Sequence, residues 1–171
     1  MYYKTNYSSP LCQIMLASDG ENLIGLWLEG QKYYGGSVKE SMSQKDDLPV
    51  FLAAKAWLDR YFRGEKPDIS ELPLAPAGSD FSKEVWDILC KIPYGEHTTY
   101  GGIAKTLAKK HGKKSMSAQA VGGAVGHNPI SIIIPCHRVI GANGSLTGYA
   151  GGIDKKIKLL NHEDAANNYL L

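Results

Sequence analysis

Two adjacent residues, Cys136 and His137, could together carry nucleophilic chemistry. A thiol attacks as its thiolate, and a neighbouring base is one of the few means of generating that thiolate at neutral pH. Pro135 precedes the pair and restricts the backbone, after an apolar run over 130–134. Glu163 could orient the histidine and complete a Cys-His-Glu arrangement. A lone cysteine is more often a small buried hydrophobe, so these residues alone leave both interpretations open.

The composition is that of a globular protein. Of 171 residues, 43% are hydrophobic and 21% are charged, which excludes a wholly disordered or fibrous chain. The three cysteines, at 12, 90 and 136, lie far apart and lack zinc spacing, so we predict no disulfide framework and no structural metal made from these cysteines alone. We also expect no other metal and no cofactor. No apolar run approaches a bilayer span, and the N-terminus lacks the apolar core of a secretory signal. We therefore expect a cytoplasmic protein without membrane contact.

The sequence pattern around these residues predicts an α+β fold in two domains, 1–75 and 76–171. In the first, apolar runs at 12–17 and 23–28 flank turn residues and predict a small antiparallel sheet. A helix follows from about Pro49 to Phe62, with a stripe of apolar residues at helical spacing. Prolines and glycines over 65–79 predict an extended connection. Nothing in this domain suggests chemistry, and we expect its apolar residues to pack a core.

The second domain is predicted to be mostly helical. Ser79 or Asp80 can cap a first helix, Thr98 or Thr99 a second, and Ser115 or Ser117 a third, with a last helix over 153–163. The two short helices in the middle resemble a helix-turn-helix. The predicted inward residues are Phe81, Val85, Ile88, Leu89 and Ile92 in the first helix, Ile103, Ala104 and Leu107 in the second, and Ile153, Ile157 and Leu160 in the last.

Residues 118–125 form an unusually smooth surface of alanine, glycine and valine, interrupted by Gln119. Two adjacent glycines disfavour a helix, but such a surface permits very close approach. Its partner could be another helix of the same protein or a narrow groove such as the DNA minor groove. Five lysines at 105, 109, 110, 113 and 114 have no acid between them; they could contact phosphates or simply form a solvated loop. The patterns alone leave these alternatives open.

The segments 128–139, NPISIIIPCHRV, and 148–152, GYAGG, closely resemble the O6-alkylguanine-DNA alkyltransferases, or methylated-DNA–protein-cysteine methyltransferases. The resemblance is strong over about 79–163 and looser over the first domain, which would be ribonuclease-like. It implies a monomer that binds duplex DNA through the minor groove and rotates the alkylated guanine out of the stack. A cysteine thiolate then takes the alkyl group from O6, irreversibly and once; O4-alkylthymine is a second substrate that the resemblance allows.

The same resemblance implies roles for individual residues. Cys136 would be the acceptor, His137 the base acting through a water, and Glu163 the partner of its other nitrogen. Tyr100 would assist nucleotide rotation and donate at guanine N3, and Asn128 would brace the turn before the site. The remaining implied contacts are Tyr149, Val139, Ala150 and Ser131 for the substrate, and Gln119, Ala118, Gly122, Gly123, Lys113, Lys114 and Arg138 for DNA. For Arg138, pairing behind the site is the stronger alternative, and Tyr100, Tyr149 and Glu163 could instead be ordinary packing or surface residues.

Two positions depart from the family pattern. Gln119 stands where the family often places an arginine finger, so we predict a weaker electrostatic contribution there, offset in part by the nearby lysines. Ala150 stands where some members have serine, and a backbone N–H can serve in its place.

Two other classes of function compete with alkyl transfer. A non-catalytic lesion binder would flag damage for other repair pathways, but such relatives usually replace the cysteine with tryptophan, and Cys136 is present. A Cys-His-Glu hydrolase is a third hypothesis, weakened by the lack of an obvious oxyanion-hole loop.

Overall fold

The computed structural model describes residues 1–36, 42–146 and 148–164. Its strands are β1 Tyr2–Ser8, β2 Gln13–Ser18, β3 Leu23–Leu28, β4 Met42–Gln44, β5 Thr98–Thr99 and β6 Val139–Ile140. Its α-helices are α1 Pro49–Phe62, α2 Asp80–Cys90, α3 Tyr100–Lys110, α4 Ala118–Gly126 and α5 Ile153–Glu163. Across the described ranges, no helix combines the length and apolar character needed to cross a membrane. The predicted α+β class is confirmed.

The chain divides into two compact units. The first comprises Met1–Ala77 together with Pro129–Ser131, and the second comprises Gly78–Asn128 and the residues from Ile132 onward. The short segment Pro129–Ser131 belongs to the first unit because it hydrogen-bonds to β3: the Leu26 N–H donates to Pro129 O (2.8 Å), and the Ser131 N–H donates to Leu26 O (3.1 Å). The sequence did not indicate this addition. Residues 165–171 of the predicted second domain lie outside the described residues.

The sheet of the first unit has the strand order β3-β2-β1-β4. The predicted hairpin is present as β2 and β3, and β1 extends it in antiparallel fashion. The short strand β4 joins β1 in parallel, so the sheet is antiparallel over three strands and parallel at one edge. The sequence analysis missed β1 and β4. Only Thr5 of β1 is buried, and β4 is largely exposed, so neither carries an apolar pattern.

The helix α1 has the predicted bounds and covers the core of the first unit. Pro49 occupies its first turn, where no intrahelical donor is needed. Its buried residues are Val50, Phe51, Ala54, Trp57, Leu58 and Tyr61. The indole N–H of Trp57 donates to Asp68 O (2.9 Å), which satisfies the polar end of this buried ring.

The second unit contains the predicted helix-turn-helix, α3 and α4. Side-chain caps begin three helices of this unit: Ser79 for α2, Thr99 for α3 and Ser117 for α4. Each hydroxyl accepts a backbone N–H of the first turn, the preferred N-cap arrangement. Val85 and Leu89 are buried as predicted. Trp86, which the sequence analysis did not assign inward, is also buried and donates its indole N–H to Ala124 O of α4 (2.9 Å).

A parallel pair of two-residue strands connects the helix-turn-helix to the segment that follows Cys136. Thr98 pairs with Val139, and Thr99 pairs with Ile140. Strands this short have no periodicity, which is why the sequence did not reveal them. The pairing fixes the start of α3, and therefore Tyr100, relative to the residues after the cysteine.

Candidate active site

The backbone leading to the cysteine is held by Asn128. Its side-chain Nδ2 donates to Ile134 O (2.9 Å), and the Cys136 N–H donates to the same carbonyl (2.8 Å). The Asn128 side chain is thus tied to the turn before Cys136, and the role that the family resemblance implies for it stays a prediction. Ile132, inside this turn, has a φ of 70°, a conformation that β-branched residues rarely adopt. The surrounding contacts must therefore compensate for local strain, which typically costs about 1–3 kcal/mol.

Cys136, His137 and Arg138 form a single buried turn of 3₁₀-helix. The Val139 N–H closes the turn by donating to Cys136 O. With three residues per turn, successive side chains leave the axis in different directions. Adjacent residues can therefore serve different partners. The thiol lies just beneath the surface, since Cys136 is only 5% exposed.

Glu163, the last residue of α5, binds both residues that follow the cysteine. Its Oε2 lies 2.6 Å from His137 Nε2 and 3.1 Å from Arg138 Nη2, and Arg138 Nε donates to Oε1 (2.7 Å). The carboxylate side chain is only 1% exposed. The structure therefore joins the predicted histidine and glutamate directly, across 26 residues of sequence.

Arg138 pairs with the buried carboxylate of Glu163. Besides Glu163, it donates from Nη1 to Ile92 O (2.6 Å), and its guanidinium lies 5.7 Å from the ring centroid of Tyr94. Its side chain is 11% exposed. These contacts are the pairing that the sequence analysis gave as the alternative for Arg138, and a DNA contact of this residue stays a prediction. The physical reason for the pairing is that Glu163 needs a buried cation.

The charges of this cluster are set by burial and by pairing. Burial alone would raise the pKa of Glu163, but the interactions with His137 and Arg138 outweigh it and hold that pKa well below its usual range. Burial also lowers the pKa of His137, against the pull of Glu163. At neutral pH the pair is therefore a carboxylate and a neutral imidazole. The carboxylate requires the imidazole proton to be on Nε2, which leaves the Nδ1 lone pair available.

His137 Nδ1 is buried and has no hydrogen-bond partner among the described residues. A buried nitrogen without a partner is unusual and calls for an explanation. An unprotonated Nδ1 is the acceptor that a general base needs. In the part of the chain that the structure describes, no group of three His, Cys, Asp or Glu side chains could hold a metal ion.

Tyr100 begins α3 and lies between the glycine loop and α4. A Cβ added to Gly148 would come within 3.3 Å of the Tyr100 hydroxyl, and one added to Gly122 would lie 3.8 Å from its ring. Gly148 also has a φ of 87°, which favours glycine. Burial, assisted by negative charge at Cys136, raises the pKa of Tyr100. The phenol therefore stays protonated and can donate a hydrogen bond.

The residues for which the family resemblance implied substrate contacts lie in different parts of the structure. Tyr149 is buried and Ala150 partly buried in the loop before α5. The Val139 carbonyl accepts a hydrogen bond from Lys156 Nζ (2.5 Å) and retains a second lone pair. Ser131 belongs to the first unit, where its hydroxyl donates to Gln31 Oε1 (3.3 Å). The implied substrate contact of Ser131 stays a prediction.

The implied DNA-contact residues lie on and beside α4. Ala118, Gln119 and Gly123 are exposed and Gly122 is half-buried, whereas the opposite face, Val121, Ala124 and Val125, is buried. A groove of about 550 Å³ lies between α3 and the start of α4. The lysines that line it are Lys105, Lys109, Lys113 and Lys114. Lys110, by contrast, pairs with Glu84 (3.1 Å).

The sequence analysis missed Lys156, which is fully buried in α5. A signal was available. Lys156 falls on the predicted inward stripe, three residues after Ile153 and four before Leu160. A lysine on such a stripe either extends its ammonium group to the surface or binds a buried partner. The sequence pattern does not distinguish these two arrangements.

Two family models match the chain. One describes the ribonuclease-like domain of 6-O-methylguanine DNA methyltransferase and covers residues 1–76, and the other describes the DNA-binding domain of the same family and covers residues 80–165. Together they account for most of the sequence. The chain belongs to the 6-O-methylguanine DNA methyltransferase family, as its motifs had indicated.

Individual relatives agree. The methylated-DNA–protein-cysteine methyltransferase of Haemophilus influenzae is 40% identical over 94% of this chain and 86% of its own length. That of Methanosarcina acetivorans is 44% identical over 95% of this chain and 98% of its own. A crystal structure of Mycobacterium tuberculosis OGT in complex with DNA matches with a TM-score of 0.79 and 40% identity, over 96% of this chain and 92% of that one.

Proposed function

We propose that this protein repairs DNA by transferring the alkyl group of O6-alkylguanine to Cys136, once per molecule. The observation that carries the proposal is that the buried Cys136 directly precedes a histidine that a buried carboxylate orients. The relatives named above are methylated-DNA–protein-cysteine methyltransferases, and one solved relative is bound to DNA. Family and geometry therefore support the same chemistry.

The reaction is a direct displacement. The Cys136 proton passes to His137 Nδ1 through a water, and Glu163 stabilises the resulting imidazolium. The thiolate sulfur forms a bond to the alkyl carbon while the bond from that carbon to guanine O6 breaks. The electron pair stays on the guanine, which then takes up a proton, and Tyr100 donates a hydrogen bond at N3. The product is a thioether, which is stable to hydrolysis, so the protein is consumed.

The position of the thiol requires the substrate base to leave the DNA stack. Because Cys136 is only 5% exposed, a guanine inside a duplex cannot bring its O6 substituent to the sulfur. We infer that the extruded base lies against Tyr149, the second lone pair of the Val139 carbonyl and the backbone of Ala150. A damaged pair is weaker than a normal one, so extrusion costs less at a lesion.

The smooth face of α4 supports binding through a narrow groove. A Cβ added to Gly123 would meet no described atom within 4 Å, so packing inside the chain does not account for a glycine there. Glycine disfavours a helix by about 1 kcal/mol relative to alanine, which calls for another use of the bare surface. We propose that Ala118, Gln119, Gly122 and Gly123 enter the DNA minor groove.

The lysine groove beside α4 would carry the phosphate contacts. Lys105, Lys109, Lys113 and Lys114 make no ion pair with any described carboxylate, so their charges remain available. We propose that the protein acts as a monomer, as the family resemblance implies. The lesion-binding alternative is not favoured because the acceptor cysteine is present.

The decisive experiment measures the mass of the intact protein after incubation with duplex DNA that contains O6-methylguanine. We expect one added methyl group, located on Cys136, and none in Cys136→Ala. Cys90→Ala is the matched control, since burial raises the pKa of the Cys90 thiol to about 11 and keeps it protonated. DNA binding without a mass change would support the lesion binder, and turnover without an adduct would support a hydrolase. Substrates with O4-methylthymine define the range of the reaction.

A further inference from the structure

The buried ion pair of Arg138 and Glu163 lies directly beside the histidine that is assigned as the base. Arg138 Nε donates to Glu163 Oε1 (2.7 Å) and its Nη2 donates to Oε2 (3.1 Å), so the guanidinium binds both oxygens of the carboxylate. The same Oε2 lies 2.6 Å from His137 Nε2. One carboxylate oxygen therefore binds both the guanidinium and the imidazole.

The turn that follows α2 holds both members of this ion pair. Arg138 Nη1 donates to Ile92 O (2.6 Å), and the guanidinium carbon lies 5.7 Å from the ring centroid of Tyr94. In the same turn, the Gly95 N–H donates to Glu163 Oε1 (3.4 Å). Gly95 has a φ of 82°, and a Cβ added there would lie 3.4 Å from the Glu163 backbone oxygen, so this close approach favours glycine. The orientation of the carboxylate is thus fixed from two sides.

A buried carboxylate beside a histidine ordinarily favours the charged imidazolium. An opposite charge within about 4–6 Å stabilises the charged form of a titratable group. An imidazolium at His137 would already carry a proton on Nδ1, and that nitrogen could accept no proton from a thiol. A histidine that acts as a base beside a buried carboxylate therefore needs a second cation that balances the carboxylate.

Arg138 meets this requirement. Its guanidinium is charged at every pH at which the protein functions, and its contact with both oxygens balances Glu163 without a proton on His137. In agreement, burial lowers the pKa of His137, Glu163 raises it, and the positive charges of Arg138 and Lys156 lower it again. The other titratable groups near the ion pair are Cys136 in the same 3₁₀ turn, Cys90 at the end of α2, and Tyr94.

We propose that Arg138 is a positioning residue that keeps the His137 imidazole neutral in the resting protein, by balancing the Glu163 charge and fixing Oε2 against Nε2. The inference rests on the proposed function only in that His137 is taken as the base. When Cys136 ionises, the electron pair of its S–H bond stays on sulfur and the proton is bound by His137 Nδ1, so an imidazolium forms only during the reaction. Without Arg138, Glu163 would favour uptake of a proton from solvent, and His137 would be charged before a substrate arrives.

The test is the titration of His137, followed by nuclear magnetic resonance of the protein without DNA and assigned with His137→Gln. In Arg138→Met we expect the midpoint to rise by at least about one pH unit. Arg138→Lys keeps the charge and should stay near the wild-type midpoint. Arg60→Met, which removes a surface guanidinium bound to Glu71, is the matched control and should not move it. An unchanged midpoint in a folded Arg138→Met protein, or an equal rise in Arg138→Lys, would overturn the proposal.

A second measurement needs no substitution of Arg138, in case that variant does not fold. In the wild type at pH 7 we expect a neutral His137 with its proton on Nε2, and an imidazolium at that pH would reject the inference.

The pH profile of methyl transfer separates this role from a purely structural one. In Arg138→Met the acid limb of the profile should move upward by the same amount as the His137 midpoint, whereas an equal loss of rate at every pH would contradict the proposal. A wild type that titrates as expected but takes no methyl group refutes the proposed function and not this inference.

Discussion

The two units differ in the polar side chains that they bury. Among the described residues, and leaving cysteine and tyrosine aside, the buried polar side chains of the N-terminal unit are all neutral, whereas all the buried charged or titratable side chains belong to the C-terminal unit. The first group is Thr5, Ser18, Gln31 and Ser131; the second is His137, Arg138, Lys156 and Glu163. Ion pairs of the N-terminal unit, such as Arg60–Glu71, lie at the surface. The N-terminal unit thus keeps its ion pairs at the surface, whereas the C-terminal unit buries charged side chains.

The difference shows that the free-energy cost of burying charges falls on the C-terminal unit. Burying a charge costs several kcal/mol unless pairing and hydrogen bonds compensate it, and apolar replacements are often more stable. The N-terminal unit is stabilised by an apolar core around Phe51, Leu58 and Tyr61 and avoids that cost. The C-terminal unit places its buried charges within one cluster around Cys136. Charge burial therefore separates the unit that carries chemistry from the unit that supports it.

Glu163→Gln should have the largest effect, because it leaves Arg138 as a buried cation without its carboxylate. We expect a loss of about 3 kcal/mol in the free energy of unfolding, measured by urea denaturation. We also expect a roughly 10²-fold slower methyl transfer, since His137 loses the group that orients it. Glu71→Gln removes the surface partner of Arg60 and is the matched control. If both variants unfolded at the same urea concentration, the contrast between the two units would be lost.

Acid should weaken the C-terminal cluster through His137. Burial lowers its pKa, so the folded protein binds fewer protons than the unfolded chain as the pH falls below the ordinary histidine range. Stability is therefore lost on going from pH 7 to pH 5, and the depressed pKa of Glu163 adds a further loss below the ordinary glutamate range. Urea unfolding at several pH values should show that the free energy of unfolding changes less steeply with pH in His137→Gln than in the wild type. His97→Gln, at an exposed histidine, should keep the wild-type slope; equal slopes in all three proteins would contradict the prediction.

Neutralising the lysine groove should change DNA binding without changing stability. In Lys113→Gln with Lys114→Gln, the slope of log affinity against log salt should become shallower by about 2, as two phosphate contacts are lost. Fluorescence anisotropy with duplex DNA at several salt concentrations measures this slope. The double variant Lys45→Gln with Lys66→Gln removes two exposed lysines of the N-terminal unit and should leave it unaltered. An identical slope for both pairs would remove the groove from the interface.

Gln119→Arg is expected to have the smallest effect. It should strengthen DNA binding, whereas the lysine substitutions weaken it. Gln119 is exposed in the first turn of α4, so arginine fits there without disturbing the core. One added charge should steepen the salt dependence by about 1 and raise affinity most at low salt. The same anisotropy series and the methyl-transfer rate test it. Unchanged affinity and rate at every salt concentration would show that a charge at this position contributes nothing.

Local signals were sufficient to predict the helices and to narrow three of their caps to two candidate residues each. Ser79, Thr99 and Ser117 each accept a first-turn N–H, as their positions before apolar stripes had suggested. The bounds of α1 and α5 followed from proline, glycine and helical periodicity. The strands β1, β4, β5 and β6 were missed, because they are exposed or only two or three residues long and their pairing depends on distant partners.

The sequence by itself determined the family, the acceptor cysteine with its adjacent histidine, and the smooth face of α4, because each lies within a short contiguous motif. Only the tertiary structure decided what the charged residues do. It paired Arg138 with Glu163, brought Ser131 into the N-terminal unit, and buried Lys156 against the Val139 carbonyl. The reason is physical: the state of a buried charge depends on partners that folding brings together from distant parts of the chain, and no local pattern records them.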